Sequence, residues 1–103
     1  MTENFYSGTV SRAYYAMFAA TKAALLSKNI EVKTHTGLLS AFGLEFIQTG
    51  IVEKEFGRIL SRGEHLREEA DYGSEKVMNR DEAEAILNSS KSFVSIVKEL
   101  IEK

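Results

Sequence analysis

The stretch that decides the fold is residues 10–26, which read VSRAYYAMFAATKAALL. At about 100° per residue, this stretch divides into an apolar face and an alanine-rich face of one helix. The apolar face holds Val10, Tyr14, Met17, Phe18, Thr21, Ala24 and Leu25, and the alanine face holds Arg12, Ala16, Ala19, Ala20, Ala23 and Leu26. A helix of this kind is normally packed on both sides. The sequence therefore predicts a central helix from about residue 5 to residue 27.

Two further helices follow this central one. A polar connection leads to Thr34 or Thr36, either of which can cap the second helix, and Gly50 is a suitable left-handed stop for it. Apolar side chains then recur at helical spacing over residues 53–73, which predicts a third helix.

The start of a fourth helix is marked by a capping box. Asn79 and Glu82 have the required spacing, and Met78 can pack on Ala83 as a hydrophobic staple. Short connections make consecutive helices antiparallel neighbours. We therefore predict a single domain over residues 1–103, an all-α antiparallel four-helix up-and-down bundle.

Composition excludes several classes of protein. The chain has 103 residues, 44% of them hydrophobic and 27% charged, which is typical of a globular domain. It has no cysteine, so disulfides, thiolate metal sites and thiol nucleophiles are excluded. No apolar run is long enough to span a bilayer and no signal peptide is evident, so we expect a cytoplasmic protein without a membrane partner.

Two arginines occupy positions where a charge is costly. Arg12 lies on the alanine face of the first helix, where it either has a carboxylate or phosphate partner or extends its charged end to solvent. Arg67 falls among the apolar positions of the third helix, about 180° from Arg58. We therefore expect Arg67 to point inwards and to have a specific partner.

The remaining polar candidates have simpler explanations. Arg58, Arg62, His65 and Glu69 form an outer stripe on the third helix that is typical of a solvated face with pairs at i,i+4 spacing. His65 and Glu69 supply only half of a metal site, so no metal is expected. His35, at the start of the second helix, is more often a capping or packing residue than a catalyst.

Three motifs in this chain closely resemble those of the HEPN domain family, in particular its small stand-alone prokaryotic branch. They are SRAYYAMF at residues 11–18, KTHTG at residues 33–37 and REEADY at residues 67–72. The resemblance implies a dimer of helical bundles, encoded beside a minimal nucleotidyltransferase in modules that often act as toxin and antitoxin. It implies no cofactor.

The resemblance also implies a chemistry. Active family members are metal-independent ribonucleases that cleave RNA through its own 2′-hydroxyl, with an arginine to stabilise charge and a histidine about four to six residues later to move a proton. The family's arginine matches Arg67, but Tyr72 stands where the histidine is expected. An arginine–histidine pair of similar spacing occurs earlier, as Arg58 and His65 on the outer stripe.

These observations leave three interpretations. The favoured one is a non-catalytic or weakly catalytic, dimeric component that binds a nucleotide, RNA or a partner in a polar cleft lined by Arg12, Arg67, Asp71 and Tyr72. In that cleft Arg12 pairs with Asp71, because both charges need neutralising. The competing interpretation is an endoribonuclease toxin that uses Arg67, or Arg58 with His65, and the third is a purely structural assembly subunit.

A comparison with the usual helices of this family gives a second reason to expect a dimer. Members of the family that the sequence resembles usually carry another amphipathic helix before the SRAYYAMF helix. Because the given sequence begins almost at that helix, we expect most of the usual first helix to be lacking, unless residues precede the given sequence. We expect a second subunit to cover the alanine face that bears Arg12.

Overall fold

The fold is a bundle of four α-helices. A computed structural model describes residues 2–71 and 79–102. Its helices are α1 (Thr2–Leu26), α2 (His35–Phe42), α3 (Lys54–Asp71) and α4 (Arg80–Glu102). The predicted all-α class and the number of helices are thus confirmed.

Helix α1 is the centre of the bundle, as its sequence predicts. It contacts α4 and α3 most extensively and also contacts α2. Val10, Tyr14, Met17 and Leu25 are completely buried against these neighbours. The core that they form with side chains of the other helices fixes the positions of the polar residues described below.

Within the described residues, the other three helices cover only one side of α1, and the cover expected from a second subunit stays a prediction. Ala16, Ala19, Ala23 and Leu26 on the alanine face are exposed. The reason is that the other three helices pack mainly on the apolar face, where the larger side chains bury more area. The alanine face is left open to solvent.

The second helix starts as predicted and changes form before its predicted end. Thr34 is its cap, because its hydroxyl accepts a hydrogen bond from the Gly37 amide at 2.9 Å. The α-helical hydrogen bonding ends at Phe42 and a π-helical turn, Gly43–Ile47, follows. Gly50 then has φ of +81°, in the left-handed region expected of a stop.

The capping box of the fourth helix is confirmed. The amide of Glu82 donates to the Asn79 side-chain oxygen at 2.8 Å, which satisfies one of the free amides of the first turn of α4. The predicted staple between Met78 and Ala83 lies outside the described residues.

A glycine allows α3 to approach α1 closely. Gly63 is buried, and a Cβ atom at this position would lie 2.7 Å from the Met17 Cε and 3.3 Å from the Tyr14 ring. This close approach brings the polar residues of α3 next to Tyr14.

Within residues 2–71 and 79–102, no helix combines the length and the apolar character that crossing a membrane requires.

Candidate functional site

Arg67 lies on the inner face of α3, as the sequence predicts. Its side chain is only 5% exposed and forms ion pairs with Glu64, one turn earlier, and with Asp71, one turn later. The guanidinium carbon also lies 5.6 Å from the centre of the Tyr14 ring. The carboxylates and the ring compensate for the loss of water around a buried charge.

Glu64 joins Arg67 to a second element of the fold. One of its carboxylate oxygens pairs with Arg67, and the other lies 3.0 Å from Nδ1 of His35, at the start of α2. The Glu64 side chain is only 12% exposed. Glu64 therefore connects a buried guanidinium with an imidazole that reaches the surface.

His35 packs on α1 and also makes polar contacts there. Its ring centre lies 4.8 Å from that of Phe18, which confirms the packing role expected of it. In addition, its Nδ1 atom lies 2.7 Å from the hydroxyl oxygen of Tyr14. Its side chain is 37% exposed, so one side of the imidazole faces solvent.

We assign the proton of the neutral His35 ring to Nδ1 from the charge of the group that lies beside it. A proton on Nδ1 makes the 3.0 Å contact with the Glu64 carboxylate attractive, whereas a lone pair there would face a negative charge. The Tyr14 hydroxyl oxygen can accept from the same N–H. Nε2 is then the nitrogen with a free lone pair.

Tyr14 is held in its neutral form. Burial raises the pKa of its phenol far above the usual value, and a hydrogen bond to Glu64 and the negative charge of that carboxylate raise it further. The phenol therefore remains protonated at neutral pH, with Nδ1 of His35 within hydrogen-bonding distance and the Glu64 carboxylate nearby. Tyr15, the next residue, is 45% exposed and its ring centre lies 6.4 Å from that of His35.

Asp71 completes the set, with partners other than the one predicted. Its carboxylate accepts a hydrogen bond from the Ser11 hydroxyl at 2.7 Å and lies 3.4 Å from the Arg67 guanidinium. The predicted pair between Arg12 and Asp71 is thus replaced by an Arg67–Asp71 pair. The reason is geometric, because Asp71 follows Arg67 at i+4 spacing on one helix.

Arg12 lies in a different place from Arg67. It is exposed and lines a groove of about 540 Å³ between α1 and α4, together with Lys91 and Lys98. Among the described residues no ion pair to Arg12 is found. Of the two alternatives for this residue, the structure favours a charged end in solvent.

The outer stripe of α3 is solvated at three of its four predicted positions, while the fourth, Glu69, has only 22% of its side chain exposed. Arg58 and Arg62 are exposed, and His65, whose side chain is 71% exposed, pairs with Glu69 at 3.6 Å. Among the described residues, no hydrogen bond or ion pair joins Arg58 to His65, and the partner of His65 is the largely buried Glu69. Tyr72, the fourth residue of the predicted cleft, lies outside the described residues.

One connected set of polar side chains emerges, which we call the Arg67 cluster: Ser11, Tyr14, His35, Glu64, Arg67 and Asp71. Sequence reasoning identified Arg67 and Asp71 but did not assign Glu64, His35 or Ser11 to the site. The i,i+3 spacing of Glu64 and Arg67 was a usable signal. Ser11 and Tyr14 lie on α1 and His35 lies on α2. The only sequence signal that linked these residues to Arg67 was their presence in the three quoted motifs.

The cluster can move protons and stabilise negative charge. It holds an imidazole, two carboxylates, a guanidinium and a neutral phenol, which are the groups that general acid–base and electrostatic catalysis use. It thus places a half-exposed base beside a buried cation in a small helical bundle.

Comparison with known proteins agrees with this description. The family model of the HEPN domain matches residues 1–100. The chain therefore belongs to the HEPN domain family, and all three motifs that carry the resemblance contribute residues to the Arg67 cluster.

Several relatives share the sequence over almost its whole length. A protein of Methanocaldococcus jannaschii named as a putative toxin is 40% identical, over 95% of this chain and 72% of the relative. A second protein of that organism, with the same designation, is 36% identical over 94% of this chain and 66% of the relative. A UPF0332 protein of Thermotoga maritima is 34% identical over 90% of this chain and 70% of the relative.

Proposed function

We propose that this protein is a toxin-type HEPN ribonuclease that cleaves RNA without a metal ion, with the Arg67 cluster as its site. One observation carries the proposal: the SRAYYAMF, KTHTG and REEADY motifs all contribute side chains to a single cluster that contains a guanidinium, a carboxylate and an imidazole. The resemblance to the HEPN family implies RNA cleavage of this kind, and two relatives carry the name putative toxin.

The cluster has what such a reaction requires. Attack of a 2′-hydroxyl on the neighbouring phosphate needs a proton acceptor and a positive group near the charge that develops on phosphorus. His35 and Arg67 supply these two groups, and Glu64 connects them. The exposed ring of Tyr15, next to His35, is available to stack on a base of a single-stranded RNA.

The test is cleavage of end-labelled single-stranded RNA by the purified protein in the presence of EDTA. We expect products that end in a 2′,3′-cyclic phosphate, and no cleavage of the matching DNA, which lacks the 2′-hydroxyl. Arg67→Met and Arg67→Lys are compared with Arg62→Met, an exposed arginine of the same helix, after circular dichroism has shown that each variant is folded. Equal losses in Arg62→Met and Arg67→Met would mean that α3 contributes only general positive charge, and would count against the site.

A non-catalytic component is the second candidate, and one observation favours it. Both carboxylate neighbours of Arg67 are engaged with it, so its charge is already neutralised in this structure. In this case the protein binds RNA, a nucleotide or a protein partner without changing it. Binding of the same labelled RNA, measured by fluorescence anisotropy and weakened by Arg67→Met, with no cleavage in EDTA, would favour this candidate.

The wider module is also part of the proposal. We propose that the chain acts as a homodimer and that a minimal nucleotidyltransferase is its protein partner, as the family resemblance implies. The open alanine face of α1 supports the dimer. Growth inhibition on expression alone, relieved by co-expression of the neighbouring nucleotidyltransferase gene, is the expected result. A purely structural assembly subunit would neither inhibit growth nor bind RNA.

A further inference from the structure

We propose that His35 accepts the proton of the attacking 2′-hydroxyl and that Glu64 positions it, in place of the histidine that this chain lacks five residues after Arg67. The inference rests on the ribonuclease activity proposed above. It assigns proton transfer to a residue of α2, in the KTHTG motif, rather than to a residue that follows the arginine in sequence.

The two nitrogens of His35 have different surroundings, and this difference carries the inference. Nδ1 is fixed by the Tyr14 hydroxyl at 2.7 Å and by the Glu64 carboxylate at 3.0 Å. Among the described residues, none contacts Nε2 within hydrogen-bonding distance, and the side chain is 37% exposed. The structure therefore presents an oriented, partly exposed imidazole whose Nε2 has no protein partner among the described residues, as a general base requires.

The charged and titratable groups around His35 come from α1 and α3. Tyr14 and Tyr15 face the imidazole from α1, while Glu64 lies against it from α3, with Arg67 on the far side of Glu64. Helix α2 itself carries no other charged side chain. The Glu64 carboxylate lies where it attracts a positive charge on the imidazole, and its other oxygen is held by Arg67.

The proposed step forms one bond to phosphorus and breaks another. The 2′-oxygen forms a bond to phosphorus as its proton passes to Nε2 of His35, and the bond from phosphorus to the 5′-oxygen breaks. The departing 5′-oxygen takes a proton from water, and His35 returns its proton to the resulting hydroxide. The products are a 2′,3′-cyclic phosphate and a free 5′-hydroxyl, with no metal and no redox change.

The test compares two conservative variants with the wild-type protein on the same RNA in EDTA. His35→Asn keeps a side-chain N–H near the position of Nδ1, so the contacts with Tyr14 and Glu64 are retained while Nε2 is removed. Glu64→Gln keeps the size of the positioning residue and removes its charge. Asn88→Ala, an exposed position on α4, is the control for handling and expression. Cleavage rate is followed from about pH 5 to 9, and RNA binding is measured in parallel.

We expect His35→Asn to lose about a hundredfold or more in cleavage rate while binding RNA within about twofold of the wild type. Glu64→Gln should cleave more slowly and shift the acidic limb of the pH–rate profile, because the imidazolium has lost its carboxylate partner. A substitution that merely loosened the fold would lower the rate at every pH without moving that limb.

Failure of this inference can be told apart from failure of the proposed function. A wild-type protein that cleaves RNA, with a His35→Asn variant that cleaves equally fast over the same pH profile, would overturn the role of His35 alone. Loss of cleavage in His65→Asn instead would assign the reaction to the outer stripe and overturn it as well. A wild-type protein that binds RNA but leaves it intact would overturn both.

Discussion

The side chains of Glu64 and Arg67, one turn apart on α3, form an ion pair that is almost closed to solvent. Only 12% of the Glu64 side chain and 5% of the Arg67 side chain are exposed. Because the second oxygen of Glu64 reaches His35, this pair links the buried side of α3 to the first residue of α2. The pair therefore serves both the stability of the bundle and the position of the candidate base.

We expect Arg67→Met to destabilise the protein by about 3 kcal/mol, because it leaves the Glu64 carboxylate buried without its main partner. The free energy of unfolding in urea measures this. Adding Glu64→Gln to the variant removes the unpaired charge, so the double variant should be more stable than Arg67→Met alone. A double variant that loses the sum of the two single effects would contradict a direct interaction.

The pKa of Tyr14 is raised in the folded protein, so folding favours the protonated phenol. This contribution to stability is complete below the ordinary tyrosine pKa of about 10 and is lost as the pH rises above it, by at most about 1.4 kcal/mol per pH unit. Tyr14→Phe should flatten the fall of the unfolding free energy between about pH 10 and 11. Tyr15→Phe is the matched control, and an equal flattening in both variants would contradict the assignment to Tyr14.

Two glycines of α3 should respond oppositely to alanine. A Cβ at Gly63 would meet Met17 and the Tyr14 ring at 2.7 and 3.3 Å, whereas at Gly57 it would meet only Ile47, at 3.6 Å. Gly57→Ala should stabilise the protein by about 0.5–1 kcal/mol through helix propensity. Gly63→Ala should destabilise the protein by about 1 kcal/mol, because overpacking against Met17 and Tyr14 outweighs the gain in helix propensity. Thermal or urea unfolding of the two variants side by side measures the difference, and stabilisation by both would contradict the close approach of α1 and α3.

Asp71 should be coupled to Arg67 and not to Arg12. A double-mutant cycle on unfolding free energy with Arg67→Met and Asp71→Asn should give a coupling of about 0.5–1 kcal/mol, because the carboxylate is partly exposed. The same cycle with Arg12→Met should give none. Coupling to Arg12 would restore the pair that the sequence predicted and would contradict the position of Arg12 in the groove between α1 and α4.

Most of the fold could be predicted from the sequence because local signals set it. The Asn79–Glu82 capping box, the Thr34 cap and the left-handed Gly50 all lie where side-chain chemistry places them. The early end of α2 at Phe42 was missed, because the π-helical turn that follows keeps the same apolar stripe as an α-helix. Hydrophobic periodicity does not distinguish the two over five residues.

The candidate site could be predicted only in part. The inward position of Arg67 followed from its place among the apolar residues of α3, and its burial agrees. The contact between His35 and Glu64 joins residues of two helices, so it depends on tertiary packing that no local pattern encodes. Arg12 shares with Arg67 an unusual place on its helix, which is why the sequence predicts one cleft for both, yet the structure places Arg12 in the groove between α1 and α4.

The open alanine face of α1 gives the proposed homodimer a direct test. Ala16 lies on this face and is exposed, while Ala85 is an exposed alanine of α4 and serves as the matched control. If two copies pack through α1, Ala16→Glu buries a carboxylate at a close helix–helix contact and should shift the protein from dimer to monomer. Ala85→Glu should leave the dimer intact. Light scattering coupled to gel filtration measures both masses at micromolar concentration. A wild-type monomer would contradict the dimer, and a wild-type dimer that persists in Ala16→Glu would place its interface elsewhere than on the alanine face.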